Sequence, residues 1–346
     1  ASCTISQPKY SSGSVAADHE LASLAGVEIL QQGGNAVDAA VATSFALSVV
    51  RPFSCGIGGG GFMLIDSPSM NPVALNYRET SPQKVWPNFF KTNNSRFGGT
   101  AVGIPGTVAG LLLAHERFGV LSRANVLAPA IRLANEGFKL DVAFKNAYAS
   151  ALQSIEHQTD NQQEQAKRAL DSITELSMGG STQSEVLRLI ANYGTEGFYK
   201  GKVAESIVQA TAGHLTLEDL RSYSPRWEQP LQIEIGDGST IISMPPPSSG
   251  GVAIGQIIGI LQRCNAYSLA PSSQEYSHVL VESMKHAFAD RAEHMADAAF
   301  IDVPVESLLE HKYLDDLASR ISSDTTQGTF SYGSSLPPPD DDGTSH

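Results

Sequence analysis

Three cysteines in 346 residues, Cys3, Cys55 and Cys264, are too few and too widely spaced for a disulfide framework or a zinc cluster. That count leaves the redox compartment open. Long hydrophobic runs are also missing. The longest mostly apolar stretch, Ala36 to Val50, carries Asp38 and falls short of the ~20 residues that a bilayer-spanning helix needs, so no transmembrane helix is predicted. Positive charge is scarce as well: 23 Lys and Arg stand against 36 Asp and Glu, a net charge of -13, and the cations form no basic stripe. Nucleic acid is therefore not an expected partner, because its phosphates need such a surface. The chain opens at Ala1 without a charged segment and apolar core, so any export signal is expected to have been removed or never present. No repeat of 20 to 50 residues is visible, and no linker precedes Ser322.

What is present is a chain with 41% hydrophobic and 17% charged residues, long enough for a sizeable core. Apolar positions from Asp18 to Gln32 recur at helical spacing and stop at Gly33-Gly34. Asn35 then caps a second helix, Ala36 to Val50, apolar nearly all round and so expected between layers, with Arg51-Pro52 breaking it. Phe62 to Asp66 and Val73 to Arg78 read as strands around a turn at Ser67 to Pro72. The region from Val108 to Val208 is mainly helical, clearest over Val120 to Gly137 and Gln162 to Ser177, with another helix over Gly197 to Ala210. Leu231 to Ile235 and Thr240 to Ser243 form a second strand pair, ended by Pro245-Pro246-Pro247. Helices over Val252 to Leu261 and Tyr276 to Ala298 follow, placing Ser248-Ser249-Gly250-Gly251 at a helix N-terminus as a candidate anion site. One layered α/β unit is the simplest account.

Several local patterns carry possible chemistry. Gly56-Ile57-Gly58-Gly59-Gly60-Gly61 satisfies the glycine string of dinucleotide-binding folds, but a helix precedes it and a strand follows, the reverse of what that site needs. It reads instead as a turn whose missing side chains let backbones pack closely or approach a ligand. Arg78, at a strand end, can form a bidentate pair with a substrate carboxylate, although position alone favours an ion pair with Glu79 or another acid. His286, Asp290 and His294 share one helical face and read as a solvated, ion-paired surface more than as a metal site. Asp290-Arg291 reads as structural. Ser248 and Ser249 lack the G-x-S-x-G context of a serine hydrolase. Asn93-Asn94-Ser95 fits a glycosylation sequon, a pattern that also arises by chance.

The last residues suggest a different nucleophile. From Ser322 to Gly343 the chain is rich in Ser, Thr, Gly, Pro and Asp, which predicts an accessible loop, and Thr344-Ser345-His346 follows Gly343. A threonine freed as an N-terminus carries a hydroxyl nucleophile and its own α-amine base on one residue. By itself such a tail reads as an ordinary acidic extension.

The rest of the chain reverses that balance, because its segments together resemble the gamma-glutamyltranspeptidase family. They are Ala16-Ala17-Asp18, Gly33 to Ala40, Gly56 to Phe62, Arg78-Glu79-Thr80-Ser81-Pro82 and Gly103 to Gly110, then Leu217-Glu218-Asp219-Leu220, Met244 to Gly251 and Ala289-Asp290-Arg291. The similarity runs in register over nearly the whole chain. It implies an N-terminal nucleophile hydrolase fold, an α/β (α+β) four-layer αββα sandwich, made as a precursor that cuts itself in two. Residues 1–343 would be the large subunit, with 322–343 a flexible cleavage loop, and 344–346 the start of the small catalytic subunit.

The resemblance further implies that Gly343-Thr344 is the cleavage site, Thr344 the nucleophile, and Arg78 the grip on the substrate α-carboxylate. Expected partners are the small subunit, glutathione or another γ-glutamyl donor, and water, amino acids or dipeptides as acceptors. No metal or organic cofactor is implied. Oxyanion donors and the acids that hold the substrate α-amine belong to the small subunit in this family, so the chain alone is expected to be inactive. Because many members carry Thr-Thr-His at the cut, a nucleophile at position 347 is the alternative placement. Two other outcomes stay open: an acylase acting on a glutaryl amide or poly-γ-glutamate, and a non-catalytic γ-glutamyl-binding relative. The family is generally exported, periplasmic, secreted or membrane-anchored, and Cys3 after Ala-Ser is a weak lipoprotein signal.

Overall fold

Asn35 starts the helix Ala36–Val50 with a reciprocal cap. Its Oδ1 accepts from the N–H groups of Val37 (2.9 Å) and Asp38 (3.0 Å), while Asp38 Oδ2 accepts from Asn35 N–H (2.9 Å). Asp38 is fully buried and also accepts from Val120 N–H at 3.1 and 3.2 Å and Leu121 N–H at 3.4 Å. One carboxylate thus ties two stretches of chain 80 residues apart in sequence to roughly the same point, and the predicted helix from Val120 begins only at Arg123, after Ser122 as its cap. Val120 and Leu121 have spent their N–H groups on Asp38.

The computed structural model describes residues 13–93, 98–156, 160–236 and 238–333. The chain divides into two compact units, residues 1–61 with 75–226, and residues 62–74 with 227–346. In the first, Ala36–Val50 packs against the helices Glu20–Gln31, Thr107–Phe118 and Arg123–Glu136. Val41, Ala42, Phe45, Ala46, Val49 and Val50 are fully buried, so this helix buries its apolar surface nearly all round, as its composition predicts. Arg51 ends it, buried, with Nε on Asp18 (2.7 Å) and a two-nitrogen grip on Asp141 at 2.5 and 3.2 Å. That grip holds the Asp141 carboxyl below its ordinary pKa. The predicted helix over Gly197 to Ala210 is broken into Glu196–Tyr199 and Gly201–Ala210, because Gly201 takes a left-handed φ of 61°.

In the second unit, β4 (Leu231–Ile235) pairs antiparallel with β5 (Ser239–Ser243), Leu231 opposite Ser243. The helix Gly250–Arg263 packs on Gln274–His294 and His311–Ser319, and its core includes Val252, Ile260, Leu308, Leu314 and Leu317. The Gln274–His294 helix is shorter than predicted at its C-terminal end, where Met295 turns into this core. A three-stranded sheet has the order β1-β2-β3, with β1 Phe62–Ser67, β2 Met70–Asn76 and β3 Arg226–Glu228. The division between units falls in β2 after Ala74 and in β3 after Arg226. Met70 to Pro72, expected in the turn, belong to β2, since proline's fixed φ suits an extended chain.

Asp38→Ala leaves the N–H groups of Asn35, Val120 and Leu121 without this acceptor, and the expected cost is about 3 kcal/mol or more. Urea unfolding at neutral pH measures it. A loss below about 0.5 kcal/mol would show that solvent replaces the carboxylate at no penalty.

Candidate functional site

Arg78 lies two residues beyond the end of β2, not within it. Its backbone N–H donates to the side chain of Asn76 (3.1 Å), a local turn that stops the strand. Before it, Tyr77 exchanges both backbone hydrogen bonds with Gly61, at 2.9 and 3.2 Å. After it, Thr80 and Ile104 form an antiparallel bridge with N···O distances of 2.8 and 3.4 Å. Gly59 O accepts from Gly106 N–H (2.8 Å) and Thr107 N–H (3.0 Å), which closes the glycine run onto the start of the Thr107–Phe118 helix.

Side chains would not fit at this crossing. A Cβ on Gly60 would stand 2.6 Å from Tyr77 O and Glu79 N, and one on Gly106 would overlap Tyr77 O and the Tyr223 hydroxyl. The glycine run is a close backbone approach, as its composition predicts, and it fixes the chain on which the exposed Arg78 stands.

Two tyrosines support this loop from behind. Tyr199 donates its hydroxyl to Pro105 O (2.7 Å) and accepts from Ala109 N–H (3.3 Å). Tyr223 stacks on it, rings 6.0 Å apart and 4° from parallel, and donates to Arg78 O (2.9 Å). Burial pushes both phenol pKa values above their ordinary range, and burial with the nearby Cys55 thiol pushes Tyr77 up to about 12. Tyr199 and Tyr223 therefore act as hydrogen-bond donors, not bases. Neither stands out in the sequence, where a lone tyrosine reads as core; the one signal was the nearby Leu217-Glu218-Asp219-Leu220 motif. Asp219 accepts through Oδ1 from Gln83 N–H (3.0 Å), and its Oδ2 caps the helix Leu217–Ser222 through Thr216.

In the other unit, the His286, Asp290 and His294 face is buried, which overturns the expectation of a solvated surface. Asp290 Oδ2 accepts from Tyr313 Oη and Gln256 Nε2, each at 2.6 Å, so this carboxylate oxygen is held by core partners. Residues from 326 to 333 cover the His286 end of the face: Gly333 N–H donates to His286 Nδ1 (3.2 Å), and the Gln327 side chain meets Nε2 at 3.0 Å. Adjacent Glu282 accepts from Lys285 (2.8 Å), Thr326 (2.6 Å) and Tyr332 (2.7 Å). Ser249 does not cap its helix with its side chain; its Oγ accepts from Arg291 Nε (2.9 Å). Among the described residues no group of three or more His, Cys, Asp or Glu is placed to hold a metal ion, and no helix is long and apolar enough to cross a membrane. Gly343, Thr344 and the part of the predicted cleavage loop from residue 334 onward lie outside the described residues.

The family model for gamma-glutamyltranspeptidase matches residues 22–346. The chain belongs to the gamma-glutamyltranspeptidase family. It is 34% identical to a glutathione hydrolase proenzyme of Pseudomonas sp. (strain A14), over 96% of this chain and 60% of that protein. It is 35% identical to the acylase ACY 1 proenzyme of Pseudomonas sp. (strain V22), over 90% of this chain and 59% of that protein. It spans about 60% of the length of these relatives, both of them proenzymes. Among solved structures it is similar to the gamma-glutamyltranspeptidase from Pseudomonas nitroreducens complexed with L-DON. The TM-score is 0.85 at 34% identity, covering 93% of this chain and 98% of that chain. The fold is accordingly the α+β fold of the N-terminal nucleophile hydrolases, in the part these gamma-glutamyltranspeptidases share.

The buried pair under residues 326 to 333 is expected to make the fold acid-sensitive. Burial, with Arg320 nearby, lowers His286 from 6.5 to about 4, so the folded state resists a proton that the unfolded chain accepts, and stability falls as pH drops from 6.5 to 4. Burial alone would raise Glu282, but the bonds from Lys285, Thr326 and Tyr332 outweigh it and hold the carboxyl at about 2, so a second loss runs from pH 4.5 down to 2. Urea midpoints measured from pH 7.5 to 3 are expected to show the upper loss flattened in His286→Gln and the lower one retained. Parallel curves for the two proteins would refute the assignment.

Proposed function

We propose that this chain is the large-subunit part, residues 1–343, of a precursor that cuts itself between Gly343 and Thr344 and then transfers γ-glutamyl groups. Residues 322–343 are the cleavage loop and 344–346 the first of the small subunit, with which the large one forms a heterodimer. The Thr344 hydroxyl attacks the Gly343 carbonyl and breaks the Gly343–Thr344 C–N bond, which leaves an ester and frees the α-amine of Thr344; water then hydrolyses the ester to a carboxylate at Gly343 and restores the Thr344 hydroxyl. That amine then serves as the base. It takes the hydroxyl proton as Thr344 Oγ attacks the γ-amide of glutathione or a related donor, and passes it to the departing amine. Water or an acceptor amine takes the γ-glutamyl group from the threonyl ester and regenerates the hydroxyl.

Arg78 holds the donor α-carboxylate. Its exposed side chain on a backbone fixed by Gly59 to Gly61, Thr80 and Ile104 suits bidentate capture of a planar anion. The observation that carries the reading is the match in register over 93% of this chain and 98% of a solved gamma-glutamyltranspeptidase chain. The chemistry needs no metal or organic cofactor, and the enzyme acts after export, in the periplasm or outside the cell, with or without a membrane anchor. A second reading, an acylase using the same nucleophile on another amide such as a glutaryl group or poly-γ-glutamate, is favoured by the 35% identity to the acylase ACY 1 proenzyme. A non-catalytic γ-glutamyl-binding relative fits less well, since both Arg78 and Thr344 are present.

Intact mass and N-terminal sequencing of the complete gene product decide the processing step. A new N-terminus at Thr344 is expected; one at position 347 moves the nucleophile, and an uncut product in fresh and aged samples overturns the reading. Thr344→Ala should stay uncut. Arg78→Gln should process normally yet lose about 30-fold or more in kcat/KM on γ-glutamyl-p-nitroanilide, the effect of a lost charge-assisted grip. An unchanged kcat/KM would remove Arg78 from the site.

A further inference from the structure

One short helix holds the Arg78 to Gln83 segment at both ends. Tyr223, which ends the helix Leu217–Ser222, donates to Arg78 O (2.9 Å). Asp219, in the first turn of that helix and fully buried, accepts from Gln83 N–H (3.0 Å). The helix is itself anchored, because Asp219 Oδ2 accepts from Thr216 N–H (2.9 Å) and Oγ1 (2.7 Å). Tyr223 is oriented independently, by its parallel stack on Tyr199, whose hydroxyl is bound on both sides to Pro105 and Ala109.

The two parts of Tyr223 have separable work. Its ring packs against Tyr199 and helps line a cavity of about 290 Å³ with Leu112, Lys200, Leu220 and Arg221. Its hydroxyl reaches the carbonyl of Arg78 itself, the peptide that sets where the side chain starts. Gly106 leaves room for this bond, since a Cβ there would overlap the hydroxyl.

We propose that Tyr223 and Asp219 are positioning residues for Arg78, setting the place and direction from which its guanidinium meets a donor α-carboxylate. The proposal rests on the role given to Arg78 above. A long, exposed arginine binds a planar anion well only from a fixed base, because ordering its backbone at the moment of binding costs affinity. Removing one anchor therefore weakens donor binding and leaves acyl transfer unchanged.

Tyr223→Phe in the complete gene product tests this, since it keeps the ring and deletes only the hydroxyl. Two donors are compared after processing: γ-glutamyl-p-nitroanilide, and 4-aminobutyryl-p-nitroanilide, the same molecule without its α-carboxylate. Expected are a KM for the γ-glutamyl donor about threefold to tenfold higher, the effect of one hydrogen bond, with kcat, extent of cleavage and melting temperature unchanged. Use of the 4-aminobutyryl donor should not change.

Equal losses on both donors would make the hydroxyl merely structural, and no change on either would remove it from the site; both results overturn the proposal. If Tyr223→Phe does not accumulate as cut protein, the same KM-only signature in Asp219→Asn supports it, and a kcat loss there overturns it. A wild type that uses both donors equally well would instead defeat the assignment of Arg78, and the positioning role with it.

Discussion

Backbone meets backbone without intervening side chains where Gly59 to Gly61, the Tyr77 carbonyl and Gly106 cross, and the placement of Arg78 depends on that crossing. Gly61 pairs with Tyr77, Gly59 receives two N–H groups from the start of the next helix, and side chains at Gly60 or Gly106 would occupy the space that the Tyr77 carbonyl needs. Loops that carry function usually cost order when they bind. Here the order is present beforehand, supplied by ladder hydrogen bonds, so the exposed arginine adds charge to a support that is already rigid.

Buried charge does a second kind of work. Asp38, Arg51, Asp219, Glu282 and Asp290 are all nearly inaccessible, and each has several partners that offset the cost of leaving water. All five join segments distant in sequence: Asp38 with Val120, Arg51 with Asp141, Asp219 with Gln83, Glu282 with Tyr332, and Asp290 with Tyr313. Removing one partner leaves the other desolvated, which is why such residues tolerate little change. The segments that resemble the gamma-glutamyltranspeptidase family thus gain physical roles beyond catalysis, from the Asn35 cap to the Asp18 contact with Arg51.

Local patterns were the most legible part of the fold. The helix from Ala36 to Val50 matched residue for residue, because its Asn cap, apolar run and Arg-Pro end all lie within the segment itself. The strand pair around Gly236 and Gly238 was equally clear. Errors arose where a distant group competed for the backbone: Asp38 delayed the start of the Arg123 helix, and the core drew Met295 out of the helix before it. The His286, Asp290 and His294 face read as solvated because a polar stripe usually is. Gln327 and Gly333 cover its His286 end, and nothing in the spacing of the helix announces a covering segment 41 and 47 positions later.

Sequence alone determined the family, the Ala36–Val50 helix with its Asn35 cap, and the candidate chemistry at Arg78 and Thr344, since these depend on residue identity and short-range order. Tertiary structure decided which groups hold Arg78 in place. Tyr223 and Asp219 lie more than 130 positions away and reach Arg78 and Gln83 through single directional bonds, at 2.9 and 3.0 Å. Such bonds leave no periodicity for a sequence to display. Packing brings the partners together, and only their coordinates show that one short helix braces both ends of the Arg78 segment.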